Sequence, residues 1–105
     1  MRFDPSNMSP SSSDFTEPSD QTQPWFVYIV RCADNTLYTG MTNDLLRRID
    51  QHNAGSASRY TRVRRPVELV YQQQVESRSA ALKREYAIKQ LTRRRKDQLI
   101  SDKLV

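Results

Sequence analysis

The sequence predicts a small mixed fold of the α/β (α+β) class, with elements in the order β-β-α-β-α-α. Three observations carry this prediction. Residues 25–32, WFVYIVRC, are a dense aromatic and β-branched run with the composition of a buried strand. A second strand-like run, VELVYQQQV, lies at 67–75. Between and after these runs, stretches open at helix-capping residues and place apolar side chains at helical spacing.

After the first strand, Ala33-Asp34-Asn35-Thr36 supplies turn chemistry, and Leu37-Tyr38-Thr39-Gly40 begins the second strand of a hairpin. Thr42 or Asn43 is expected to cap a helix running to about Asn53, with Gly55 just past its end. Residues 56–66 are polar, rich in arginine and without a hydrophobic period. So long a connection in so small a domain points to binding. The third strand follows at 67–75. Ser77 caps a helix to about Leu91, and Thr92 caps a last one ending near Leu104.

The 105 residues suffice for one domain and not for two. Seventeen basic residues against twelve acidic ones give a net charge of +5 and a pI near 9.7, which favours anionic partners. The average hides a split. Residues 1–24 hold one base, Arg2, and four acids, Asp4, Asp14, Glu17 and Asp20, a net of −3 that leaves +8 for residues 25–105. Four of the five prolines and the run Ser11-Ser12-Ser13 also fall in this leader. It cannot bury enough apolar surface to offset its ordering entropy, so a disordered acidic extension is expected, with a tail folded onto the basic body as the alternative. It lacks the basic start and apolar stretch of a signal peptide. No apolar run is long enough to span a membrane. A single cysteine, Cys32, excludes an intrachain disulfide and makes a reduced, cytoplasmic setting the default. The lone histidine, His52, excludes a site that needs two imidazoles.

Some residues break the local pattern. On the helix after Ser77, the residues Ala81, Leu82, Ile88 and Leu91 share an apolar face, and Glu85 falls inside it. An inward carboxylate needs a partner, either a buried arginine or a metal ion. On the earlier helix Leu45 and Ile49 define the buried face. Arg48 and His52 line one edge of it, and Arg47 points away. Arg48 either pairs with Asp44 one turn back or serves a ligand. Tyr28 and Tyr38 sit in the two hairpin strands, core residues if taken singly.

Taken together these residues resemble the GIY-YIG nuclease superfamily. Phe26-Val27-Tyr28, followed ten residues after Tyr28 by Tyr38-Thr39-Gly40, is similar to its paired tripeptides. Asp44-Leu45, Arg48 and Glu85 continue the match, and the segments 27–53, YTR-RRP and ESRSAALKRE are similar to its small stand-alone bacterial branch. Phe26 replaces the first glycine and Thr39 the second isoleucine. The asparagine many members carry near the domain end has no counterpart after Asn53.

The resemblance implies a compact domain, residues 25–105, with a three-stranded antiparallel sheet flanked by helices. It also implies phosphodiester hydrolysis with one divalent cation, Mg2+ or Mn2+. By position, Tyr28 is then the general base, Tyr38 orients the water or phosphate, Arg48 holds the phosphate and Glu85 binds the metal. Gly40 keeps the backbone clear beside the site, and His52 supports it. The chemistry suits the residues. A phosphodiester is already anionic, so charge on its oxygens must be neutralised, and Arg48 offers a permanently charged planar fork. Tyrosine, with a reference pKa near 10, needs help to act as a base.

Two basic clusters imply the partner. Arg59, Arg62, Arg64 and Arg65 crowd the long connection around Tyr60, and Arg93, Arg94, Arg95 and Lys96 open the last helix against its dipole. Both suit phosphates, with Tyr60 available to stack on an unpaired base. A structure-specific or single-strand-preferring DNA endonuclease is the expectation, with DNA favoured over RNA, a separate protein supplying targeting, and oligomeric state left open. A noncatalytic nucleic-acid-binding module and a protein-interaction domain are the alternatives. Neither explains Glu85 among apolar residues.

Overall fold

A computed structural model describes residues 24–103. The expected acidic extension, apart from Pro24, and the expected end at Leu104 lie outside them. β1 (Trp25–Cys32) and β2 (Leu37–Thr42) form the hairpin, followed by α1 (Leu45–Ala54), α2 (Arg59–Arg62), β3 (Val67–Val75), α3 (Arg78–Lys89) and α4 (Arg93–Lys103). The strands make one antiparallel sheet in the order β2-β1-β3, so β1 is central and paired on both sides. This explains its density of apolar residues. The hairpin turn places Asn35 at φ 70°, a left-handed conformation that asparagine tolerates.

Helices cover both faces. Strand alternation sends Tyr28, Val30 and Cys32 to one face, where Val67, Leu69 and the α1 residues Leu45 and Ile49 pack on them. The other face carries Val27 and Ile29, covered by Ala81 and Ile88 of α3 and Ile100 of α4, with Tyr71 from β3. A bulge between Ile29 and Val30 lets Tyr71 of β3 join this second face while Leu69 stays on the first. Asn53 ties the end of α1 to the start of β3. Its amide donates to the Val67 carbonyl at 3.2 Å and its oxygen accepts from the Val67 N–H at 2.7 Å.

Three expectations change. The cap of α1 is Asp44, whose carboxylate accepts from the Arg47 N–H at 3.3 Å. The Thr42 hydroxyl is instead engaged with both backbone groups of Asp44 and turns the chain into the helix. Within residues 56–66 a helical turn, α2, is capped by Ser58, so the order becomes β-β-α-α-β-α-α. On α3, Leu82 does not join the apolar face. The core contact centres on Ala81 and Ile88, and Leu82 sits at the rim, 43% exposed. The Gly55 and Ser77 caps and the span of β3 are as expected. The last two helices begin where expected, and α3 ends slightly short of Leu91, with Gln90 as its C-cap.

Candidate active site

The β1–β2 register decides what the hairpin presents. Tyr28 lies opposite Gly40 and Val30 opposite Tyr38, so Tyr28, Tyr38 and Gly40 share the face covered by α1. Gly40 is required there by space. A Cβ built on it would fall 2.5 Å from the Tyr28 Oη and 2.6 Å from its Cζ, so the phenol lies across the bare backbone of β2.

From α1, Arg47 points to solvent, Arg48 is half-buried and His52 is buried. His52 is almost fully enclosed, 1% exposed. Its Nε2 shares a hydrogen bond of 2.7 Å with the Tyr28 Oη, and its Nδ1 one of 2.8 Å with the Thr61 Oγ1. The rings of Tyr28 and Tyr38 both meet the imidazole edge-on, with centroids 5.7 and 5.3 Å away. The supporting histidine of the sequence reading therefore sits at the centre of the cluster. Thr61 was not visible in the sequence. Its one signal is Ser58 three residues earlier, a helix cap hidden in an arginine-rich stretch.

The electrostatics follow from burial. Desolvation holds the Tyr28 phenol well above the usual tyrosine range; the nearby Tyr38 adds to this, Arg48 opposes it and the Glu85 carboxylate raises it further. Tyr28 thus feels Tyr38, Arg48 and Glu85 together, although Glu85 is carried by α3 across the sheet. Desolvation, with a smaller contribution from Arg48, pushes His52 below its ordinary value and keeps the imidazole neutral.

Glu85 is largely shielded, with its side chain 19% exposed, and its ion-pair partner is Lys89 one turn on, at 3.5 Å. The buried arginine considered as its partner is absent among the described residues. Arg48 likewise forms no ion pair with Asp44, whose carboxylate caps α1. Among the described residues no three His, Cys, Asp or Glu side chains converge on a common point. A lone carboxylate does not make a closed structural metal site. It does fit one hydrated magnesium-like ion, which needs few protein ligands and completes its shell with water and substrate oxygens.

One arginine of each basic cluster reaches the hairpin turn. Arg64 pairs with Asp34 at 3.1 Å, and Arg93 donates to the Asn35 carbonyl at 2.9 Å while pairing with Asp97. Arg65 donates to the Arg62 and Asn53 carbonyls. These three guanidinium groups are partly committed to the protein. Arg59, Arg62, Arg94 and Arg95 are exposed, Lys96 is half-buried, and none of these five forms an ion pair among the described residues. Tyr60 is not free for stacking on both faces. It lies stacked near Tyr38, with centroids 5.9 Å apart at 26°, and the Arg64 guanidinium sits 3.9 Å over its ring. No helix among the described residues is long and apolar enough to cross a membrane.

Comparison with known proteins agrees with this geometry. Residues 24–98 match the family model described as the GIY-YIG catalytic domain. A UPF0213 protein of Staphylococcus aureus strain Mu3 is 54% identical over 78 residues, spanning 74% of this chain and 95% of the relative. The UPF0213 protein SA0446 of strain N315 matches equally. Among solved structures, the solution NMR structure of the UPF0213 protein BH0048 from Bacillus halodurans is 44% identical, with TM-score 0.51 over 76% of this chain and 85% of that one. That of the protein EF2693 from E. faecalis is 36% identical, with TM-score 0.55 over 79% and 88%. The three-stranded antiparallel sheet, the paired tyrosines and this match over most of the chain agree: the protein belongs to the GIY-YIG catalytic domain family.

Proposed function

We propose that the protein is a divalent-metal-dependent endonuclease that hydrolyses phosphodiester bonds in DNA, favouring single-stranded or structurally distinctive substrates. GIY-YIG nucleases act on nucleic acid and generally use a divalent metal. The observation that carries the reading here is the buried 2.7 Å contact between the Tyr28 Oη and the His52 Nε2, set within electrostatic reach of Arg48 and Glu85. A binding module has no use for a phenol wired to a neutral imidazole beside an arginine and a shielded carboxylate.

Tyr28 is held protonated, so it does not act as a preformed phenolate. It acts as a relay. As the Oη takes a proton from the attacking water, its own proton passes to the Nε2 of neutral His52. Tyr38 packs against the same imidazole and orients the water or the phosphate beside the Tyr28 phenol. Arg48 holds the phosphoryl oxygens with charge-assisted hydrogen bonds as negative charge builds on them. Glu85 would hold the ion, magnesium or manganese, which when bound neutralises charge on the phosphoryl oxygens. The exposed arginines Arg59, Arg62, Arg94 and Arg95, together with Lys96, track the strand at the hairpin end. Among the described residues no element stands apart from the sheet and its helices to read sequence, which favours recognition of strand structure, and a separate protein supplies targeting.

The test is incubation with labelled single-stranded, duplex and branched DNA and with RNA, in magnesium, manganese or chelator. Arg48→Ala and Glu85→Ala are each expected to slow cleavage by about 10²–10³-fold, the usual cost of losing a transition-state charge partner. Tyr28→Phe removes the relay and is expected to fall at least as far. Cleavage that persists in chelator or survives Glu85→Ala would sink the metal assignment.

A further inference from the structure

The imidazole of His52 has a second hydrogen bond, and its direction decides what the first one can do. The relay above works only if the Nε2 is the unprotonated nitrogen, ready to accept from Tyr28. In a neutral imidazole, which nitrogen carries the proton is set by the hydrogen bond that the other nitrogen makes. Here that bond is the 2.8 Å contact between the Nδ1 and the Thr61 Oγ1. Thr61 is fully buried, at 0% exposed.

A hydroxyl can donate or accept, so its other neighbours break the tie. The Thr61 Oγ1 lies 2.9 Å from the Ser58 Oγ and 3.5 Å from the Ser58 carbonyl oxygen, both able to accept its proton. The Ser58 Oγ in turn accepts the Thr61 backbone N–H at 3.1 Å as the cap of α2. At the far end of the chain, the protonated phenol of Tyr28 is a donor. One direction satisfies every group. Tyr28 O–H donates to Nε2, Nδ1–H donates to the Thr61 Oγ1, and the Thr61 O–H donates to Ser58.

We infer that Thr61 is a positioning residue that fixes His52 as the Nδ1–H tautomer and so makes Nε2 the acceptor for the proton Tyr28 gives up. The short helix α2 is then part of the site, although Thr61 itself does not touch the scissile phosphate in this role. When the proton crosses, the Tyr28 O–H bond breaks and an Nε2–H bond forms. A water O–H bond breaks and a new Oη–H bond forms as the water oxygen bonds to phosphorus and the P–O bond to the leaving oxygen breaks. His52 becomes an imidazolium whose Nδ1–H still has the Thr61 oxygen to receive it. No net proton is created, and the charge rests on the ring between the two hydroxyls.

The role of the tautomer in catalysis rests on the nuclease reading, but the tautomer itself does not. His52 is the only histidine in the chain, so its ring ¹⁵N and ¹³C resonances are unambiguous in the intact protein. The wild type is expected to show the neutral ring protonated on Nδ1. Thr61→Val keeps the shape, removes the acceptor and is expected to move the proton to Nε2; Thr61→Ser is expected to restore the wild-type spectrum. A wild-type ring protonated on Nε2, or a ring unaffected by Thr61→Val, overturns the inference whether or not the variant folds well.

A pH titration of the same resonances separates positioning from packing. The groups facing the ring are Tyr28 from β1, Tyr38 from β2, Thr61 from α2 and Arg48 from its own helix. Loss of the Nδ1 acceptor disfavours the imidazolium, so in Thr61→Val the ring is expected to protonate at still lower pH. Simple loosening of the fold would admit water and move it back up toward 6.5, which would count against the positioning role. In cleavage assays Thr61→Val is expected to lose about 10- to 100-fold in kcat with KM little changed, as for other partners that orient a catalytic histidine, and Thr61→Ser to recover most of it. If the tautomer shifts as expected while the wild type cuts no nucleic acid, the nuclease reading fails and the assignment of Thr61 to the tautomer stands.

Discussion

The two faces of the sheet do different work, although they alternate residue by residue along the same strand. Val27 and Ile29 point to the α3–α4 side and meet Ala81, Ile88 and Ile100. Tyr28 points the other way and meets His52, which is bonded to Thr61. The first side is held by apolar burial, which needs no particular atom in a particular place. The second adds to its own apolar cluster of Val30, Cys32 and Val67 a set of buried hydrogen bonds, each of which adds only about 0.5–1.5 kcal/mol net and costs more when half-broken. Cohesion therefore comes from the α3–α4 face and geometry from the α1–α2 face. The two meet at Glu85, whose helix is anchored by the dry side while its charge is felt by Tyr28 on the other.

The sharpest way to break this contrast is to hollow the dry side. Ile88 is fully buried between α3 and the sheet. Ile88→Ala is expected to cost about 2–5 kcal/mol, lost methylenes plus the cavity they leave. Urea unfolding measures it directly. A loss below about 1 kcal/mol would mean that α3 is not the main support of the domain, and the division between the faces would fail.

This division was only partly legible in the sequence, for physical reasons that differ by element. β1 and β3 could be read because a strand packed on helices must carry apolar residues along its length, and turn residues bound both runs. Ser77 and Gly55 were readable as helix ends because each stands alone among its neighbours as a capping type. Asp44 was not, since Thr42, Asn43 and Asp44 are all competent caps, and only the Thr42 hydroxyl's use by the backbone of Asp44 decides among them. A helical wheel placed Glu85 near the apolar face but could not say how deep that face runs, so Leu82 was counted inside when it lies at the rim. The pairing of Tyr28 with Gly40 needs the strand register, which no single strand encodes. Four residues of α2 are too few to show a period, and so the hydroxyl of Thr61 stayed hidden.

A smaller change tests the polar side. Gly40 has no positive φ, so an alanine there carries no backbone strain and meets only the Tyr28 phenol, 2.5 Å from Oη. The ring is buried and cannot swing away as a flexible side chain would. Gly40→Ala is expected to cost about 1–3 kcal/mol by overpacking, less than Ile88→Ala, while displacing Oη from His52 and abolishing most cleavage. Thermal unfolding and the His52 ring resonances check the two parts. An unaltered His52 spectrum would show that Gly40 does not hold Tyr28 in place.

The gentlest probe is pH, because it acts on one atom of the polar face and on nothing comparable across the sheet. His52 is held below its ordinary value of 6.5, first by desolvation and then by Arg48. Below pH 6.5 the unfolded chain therefore binds the proton before the folded chain does. By linkage, stability is fully present above 6.5 and falls as the pH drops from there, levelling once the folded imidazole is also protonated. Asp34 does not blur this window, since its carboxylate is held below 3.8, chiefly by hydrogen bonds from Thr36, and its contribution is lost only at lower pH. Tyr28, held above 10, loses its contribution only on the alkaline side, as pH rises past 10. Urea midpoints between pH 7.5 and 5 should fall in the wild type and fall less in His52→Gln, which has no imidazole to charge. Parallel slopes in the two proteins would show that His52 takes up its proton as freely in the folded chain as in the unfolded one, and the buried neutral ring at the centre of the polar face would have to be abandoned.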